Sequence, residues 1–248
     1  MSPVVLITGA SRGIGAATAL LAAEAGYAVA VNYSANSLAA DEVVRKIRAA
    51  GGTAMSVQAD VADEAQILAM FDKVDAKLGR LSALVNNAGV VDATSRVDAM
   101  SMARFKRMFD INVLGSMVCA REAVRRMSTR HGGEGGVIVN LSSVAARLGA
   151  PGQYVDYAAA KGAIDTFTVG LAREVAAEGI RVNAVRPGII ETEIHASGGL
   201  PNRARDLAPT VPMQRAGSAE EVAQSIVWLL SPASSYVTGS ILDVSGGR

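Results

Sequence analysis

Short runs of β-branched and aliphatic residues alternate with longer stretches whose apolar positions recur every three to four residues, and this alternation persists along the whole chain. Runs such as VVLIT, LSALVN and GVIVNLS carry few polar positions, as strands do when helices cover both faces of their sheet. Strands are predicted near 3–8, 28–33, 53–58, 82–86, 136–141, 180–186 and 240–243, and helices near 13–26, 38–50, 64–78, 102–130, 156–178 and 218–230. This order implies parallel strands joined by crossover helices, a doubly wound α/β architecture. Residues 190–214 form the one long segment without a predicted element, and a substrate lid is expected there, because long irregular loops in compact domains are often functional.

Half of the 248 residues are hydrophobic and 19% are charged, and no linker, repeat or change of composition divides the chain, so one domain over 1–248 is expected. A formal net charge of +1, with acids and bases interspersed, offers no field suited to nucleic acid or a membrane surface. A small-molecule ligand is the better fit. Cys119 is the only cysteine, which leaves no internal disulfide or cysteine-rich metal site, and the two histidines, His131 and His195, suggest no metal site. The longest apolar stretch, residues 16–31, is interrupted by Glu24 and Gly26 and does not read as a membrane span. Met1 leads into a strand without a basic region or cleavage site, and a cytoplasmic location is the default expectation.

Ligands of open parallel sheets bind beyond the carboxyl ends of the strands, which directs attention to the polar residues that follow each apolar run. Thr8 to Gly15 follows the first strand and opens a helix. There Gly9, Ser11, Arg12, Gly13, Ile14 and Gly15 could cradle a pyrophosphate with backbone N–H groups and the positive end of the helix dipole. The spacing G-x-x-x-G-x-G departs from the usual dinucleotide fingerprint, and a tight turn without a ligand remains the alternative. An NAD site requires an acid at the end of the second strand to bind the ribose 2′-OH. Asn32, Tyr33 and Ser34 stand there instead, and the next acid is Asp41, inside the following helix. Arg12 in the loop suits a 2′-phosphate, so NADP(H) is favoured and NAD(H) stays the alternative.

Tyr157 and Lys161 lie four residues apart at the start of a helix, on one face and one turn from each other. A free tyrosine has a pKa of about 10, too high for a base at neutral pH. A neighbouring ammonium and an oxidised nicotinamide would stabilise the phenolate and draw that value down. Tyr157 is therefore the candidate acid/base that exchanges a proton with a carbonyl or alcohol oxygen, while Lys161 lowers its pKa and holds the nicotinamide ribose. Upstream, Ser142 and Ser143 end a buried strand at the edge where ligands collect.

With these residues assembled, the chain resembles the short-chain dehydrogenase/reductase family over essentially its whole length. The likeness rests on TGASRGIG at 8–15, NNAG at 86–89, a serine ahead of YAAAK at 157–161, and RPG at 186–188, in that order. It implies a Rossmann-type domain with a seven-stranded parallel sheet. It also implies that Asn112 helps hold a relay water reaching Lys161 and that Asp60 and Val61 lie beside the adenine. By the same likeness, Asn87, Ala88 and Gly89 border the cofactor, and Pro187, Gly188, Ile190 and Thr192 line the nicotinamide carboxamide. Ser143 is the family's catalytic serine by spacing, although GQYVDY is one residue longer than in many members, which leaves Ser142 as the alternative.

Tyr154, at the pocket mouth, and His195, in the lid, are candidate substrate contacts. The resemblance further implies a homotetramer and a substrate similar to those of glucose-dehydrogenase-like or 3-oxoacyl-carrier-protein-reductase-like members. Two other readings stay open: a catalytically silent dinucleotide-binding regulator of the same fold, and an NAD-preferring sugar dehydrogenase.

Overall fold

The computed structural model describes residues 2–193, 199–200 and 202–248. Seven parallel strands form one sheet: β1 (Val4–Ile7), β2 (Ala28–Tyr33), β3 (Ala54–Gln58), β4 (Leu81–Asn86), β5 (Gly136–Leu141), β6 (Ile180–Pro187) and β7 (Ile241–Val244). The strands stand in the order β3-β2-β1-β4-β5-β6-β7. Chain order therefore reverses between β1 and β4, and the connections leaving the two strands diverge there to open a crevice.

Helices cover both faces because every strand has two apolar faces. Along β1, Val5 and Ile7 point to one side and Val4 and Leu6 to the other, as the two-residue period of a strand requires. The first side packs against α1 (Gly13–Glu24), α2 (Ser37–Ala49) and α9 (Ala219–Leu230). The second packs against α3 (Glu64–Leu78), α5 (Gly115–Met127) and α7 (Val155–Val175). Cys119 lies in this second layer, where burial raises its thiol to about 12 and leaves it inert. No helix among the described residues is long and apolar enough to cross a membrane.

The helix starts differ in a way that foreshadows the site. Asn36, Asp63 and Ser218 cap α2, α3 and α9 through their side chains, and Ser218 forms a full capping box with Glu221. Arg12 precedes α1 without a side-chain cap, and the first bond of that helix runs from the Ala16 N–H to the Arg12 carbonyl. The N–H groups ahead of Ala16 thus have no partner within the helix.

Two predicted elements take another form. The expected helix over 102–130 is α4 (Met102–Phe109), a π-helical turn (Asp110–Leu114) and then α5. Asn112 occupies that widened turn, and its amide donates to the Met108 carbonyl at 3.0 Å. Hydrophobic periodicity does not register one extra residue per turn, and such turns concentrate at functional sites. The expected irregular stretch 190–214 contains a short helix, α8 (Arg203–Leu207), and a 3-10 turn (Ala208–Thr210). Another short helix, α6 (Ala145–Leu148), follows the serine pair.

Candidate active site

A cavity of about 590 Å³ opens along the carboxyl ends of β1, β2, β4, β5 and β6. Its wall includes Gly9, Ser11, Arg12, Gly13 and Ile14 from the glycine loop and Asn32, Tyr33 and Ser34 after β2. Asp60, Val61, Asn87, Ala88 and Gly89 continue it, and Ser143, Tyr154, Tyr157, Lys161, Pro187, Gly188, Ile190 and Thr192 complete the set expected from sequence. Gly15 and Asn112 stand behind that wall, and His195 lies outside the described residues.

The glycine loop is held by side chains that spend their polarity on the scaffold. The Thr8 hydroxyl accepts from the Asn87 and Ala88 N–H groups, both at 3.0 Å, while the Asn87 amide donates to the Thr8 and Gly9 carbonyls. Asn32 accepts from the Gly9 N–H at 3.1 Å and donates to the Val57 and Ala59 carbonyls. Its side chain sets the spacing of β1, β2 and β3 and is already fully engaged. Gly9 has φ +62°, and a Cβ there would meet the Ala88 backbone at 2.9 Å. At Gly15 a Cβ would stand 2.5 Å from the Asn87 amide and 2.6 Å from the Gly9 carbonyl, so this glycine lets α1 dock under the loop.

At the other end, Tyr157 and Lys161 extend from the first turns of α7. The neighbouring Asp156 is buried and receives two bonds from Arg104 of α4, at 2.7 and 3.2 Å, and Arg104 also donates to the Ala93 carbonyl. This clamp fixes the start of α7. Lys161 is buried, its ammonium donating to the Leu141 carbonyl at 2.7 Å and lying 5.6 Å from the centre of the Tyr157 ring.

Burial lowers the Lys161 pKa to about 8, with the Asp165 carboxylate pulling it upward. Burial pushes the Tyr157 phenol up to about 12; the Ser143 hydroxyl favours its ionised form, and Tyr154 opposes that. The sequence assigned the lowering of the phenol to Lys161. In the fold that ammonium sits beside the ring, bonded to the β5 backbone. Ser142 also lines the cavity and donates to the Lys161 carbonyl at 3.3 Å, while the Ser143 hydroxyl accepts from the Ala145 N–H at 3.1 Å, so the two serines differ in what they bond.

Asn112 is fully buried, exchanging hydrogen bonds with both backbone groups of Val90. A Cβ on Gly89 would lie 2.8 Å from the Asn112 Oδ1 and 3.5 Å from the Lys161 Nζ, so Gly89 keeps the space between them open. Arg12 is exposed at the rim of the cavity. Sequence reasoning did not single out Gln153, Arg203 and Arg248, which also line it. No motif marks them; Arg203 carried only the weak signal of lying in the expected lid.

The family model described as Enoyl-(Acyl carrier protein) reductase matches residues 9–248. The uncharacterized oxidoreductase YgfF of Escherichia coli K12 is 58% identical over 99% of both chains. A 3-oxoacyl-[acyl-carrier-protein] reductase of Synechocystis is 40% identical over 98% of this chain and 96% of its own. The solved short-chain dehydrogenase/reductase of Serratia marcescens BCRC 10948 superposes with a TM-score of 0.91 at 33% identity, covering 99% of this chain and 97% of that one. With the glycine loop, the serine strand and the Tyr157–Lys161 turn all meeting at one cavity, this chain is an oxidoreductase of the short-chain dehydrogenase/reductase family.

Proposed function

We propose that the protein is an NADP(H)-dependent oxidoreductase that interconverts a carbonyl and a secondary alcohol by hydride transfer, with Tyr157 as general acid/base. The observation that carries this reading is the convergence of Ser143, Tyr157 and Lys161 on the same cavity as the uncapped start of α1. A catalytically silent regulator would use the second feature and have no need of the first.

The residues present suit a dinucleotide. The N–H groups ahead of Ala16 have no partner in α1, and Ser11, Arg12, Gly13 and Ile14 line the cavity, which together make an anion cradle. Family members bind nicotinamide dinucleotides; the cofactor, when bound, supplies or accepts the hydride. Arg12 would hold the 2′-phosphate, and the absence of an acid among Asn32, Tyr33 and Ser34 favours NADP(H) over NAD(H). Gly9, Gly13, Asn87, Ala88 and Gly89 would bring backbone close to the cofactor, with Asp60 and Val61 near the adenine. Pro187, Gly188, Ile190 and Thr192 would line the nicotinamide end.

In reduction, Ser143 orients and polarises the substrate carbonyl while Tyr157 donates a proton to the developing alkoxide. Lys161 would hold the nicotinamide ribose, and the proton that Tyr157 gives up is replaced by way of Lys161 from the gap at Gly89, where Asn112 forms the opposite border. Tyr154 lies beside the substrate, and Ile190, Thr192 and Arg203 of 190–214 border the same cavity. A cytoplasmic homotetramer is the expected setting, by likeness to the family. An NAD-preferring sugar dehydrogenase is the reading that Arg12 argues against.

The test is NADPH oxidation against a carbonyl panel of sugars, ketones and 3-oxoacyl thioesters, by the wild type and Tyr157→Phe. General acid catalysis is worth about 10³-fold, so kcat/KM should drop by that factor while NADPH affinity holds within about threefold. Turnover that survives the loss of the hydroxyl would remove Tyr157 from its role.

A further inference from the structure

The catalytic groups fix where the reacting carbon lies; charges farther along the cavity govern what else the substrate carries. Arg203 of α8 places its Cζ 5.1 Å from the centre of the Tyr154 ring, and that ring meets Tyr157 edge-on at 6.5 Å between centres. One aromatic ring therefore separates a guanidinium from the proposed proton donor. Arg203 gives one N–H to the Gln153 side chain and pairs with no carboxylate among the described residues. Residues 1, 194–198 and 201 include no Asp or Glu. Arg248, the last residue, lines the same cavity, and its Nη1 is buried without a hydrogen-bond partner among the described residues.

The carboxylates on the wall stand at the glycine-loop end. Asp60 follows β3, and the Glu193 Oε2 lies 3.7 Å from where a Gly13 Cβ would be. Arg107 is within 4.0 Å of Asp92, and Arg12 stands at the glycine loop, which leaves Arg203 as the wall guanidinium beside Tyr154 without a carboxylate partner among the described residues. A half-buried guanidinium with donors to spare is costly until an anion meets it, and its planar fork suits a carboxylate held by two parallel bonds.

We propose that the substrate is a carboxylate-bearing ketone or secondary alcohol, its anion bound by Arg203 against Tyr154 while its reacting carbon lies at Tyr157. This inference rests on the carbonyl–alcohol reading above and narrows its substrate class.

Matched oxo-carboxylates and their methyl esters, with a 3-oxoacyl thioester alongside, should be assayed with NADPH on the wild type, Arg203→Lys and Arg203→Gln. The wild type should prefer each acid over its ester by about 30-fold in kcat/KM, mainly through KM, as loss of a charge-assisted contact implies. Arg203→Gln should bring that ratio near one, and Arg203→Lys should hold an intermediate value. Calorimetry with the unreactive probe cyclohexanecarboxylate should show binding to the wild type that Arg203→Gln loses, with NADPH affinity confirming that the variant is folded. Acids and esters turned over alike, or a thioester preferred to every acid, would overturn the anion site and leave the oxidoreductase reading standing. A wild type that reduces no carbonyl in the panel would sink that reading and this inference together.

Discussion

The two ends of the cavity are built by opposite means. At the glycine-loop end the chain presents backbone: free N–H groups at the start of α1, glycines that admit close approach, and side chains such as Thr8, Asn32 and Asn87 that brace the loop from behind. At the Tyr157 end it presents side chains, gathered from α4, β5, α7, α8 and the C-terminus. A backbone cradle depends on steric room and survives most surface changes. A side-chain site depends on buried charges such as Asp156 and Lys161, held by partners from distant segments.

Four substitutions test that contrast, and the largest effect is expected at the side-chain end. Arg104→Met strands the buried Asp156 carboxylate at the start of α7, and loss of one partner of a buried pair costs about 3 kcal/mol. Urea unfolding should register that loss, and kcat should fall along with it because Tyr157 follows Asp156 directly; an unchanged midpoint would show that the clamp holds nothing.

Lys161 gives a pH signature of slightly smaller size. Its folded pKa, about 8, lies below the 10.5 of the free side chain, so the unfolded chain binds the extra proton between those values. Wild-type stability should therefore rise relative to Lys161→Met as pH climbs through that window, by an amount on the order of 2–3 kcal/mol. Tyr157 is common to both proteins and cancels from the difference. A pH-independent difference would mean that the ammonium is not desolvated.

At the backbone end the expected losses are steric. Gly15→Ala pushes a methyl group into the Asn87 amide and the Gly9 carbonyl, an overpacking that costs about 2 kcal/mol and should lower the melting temperature. The smallest effect belongs to Arg12, which is exposed: Arg12→Gln should weaken NADPH about tenfold, the cost of one charge-assisted contact, with NADH affinity little altered. Equal weakening of both cofactors would break the link between Arg12 and the 2′-phosphate.

How legible each end was in the sequence follows from the same contrast. The seven strands lay within a residue or two of their predicted positions because two-sided burial leaves continuous apolar runs. The glycine loop is contiguous, so spacing alone exposed it. Asn112 was picked out by resemblance only, since its π turn has no periodicity of its own. Arg203 and Arg248 were missed because arginines 45 residues apart carry no local pattern.

By itself, then, the sequence determined the alternating architecture, the cradle and the helical turn that pairs Tyr157 with Lys161, because each depends on neighbours within a few residues. Only the tertiary structure decided that the Ser142 hydroxyl bonds to the Lys161 carbonyl and that Lys161 bonds to the β5 backbone. It alone brought Arg203 and Arg248 to the cavity wall. Side-chain direction and charge pairing arise from packing between distant segments, and no periodicity along the chain records them.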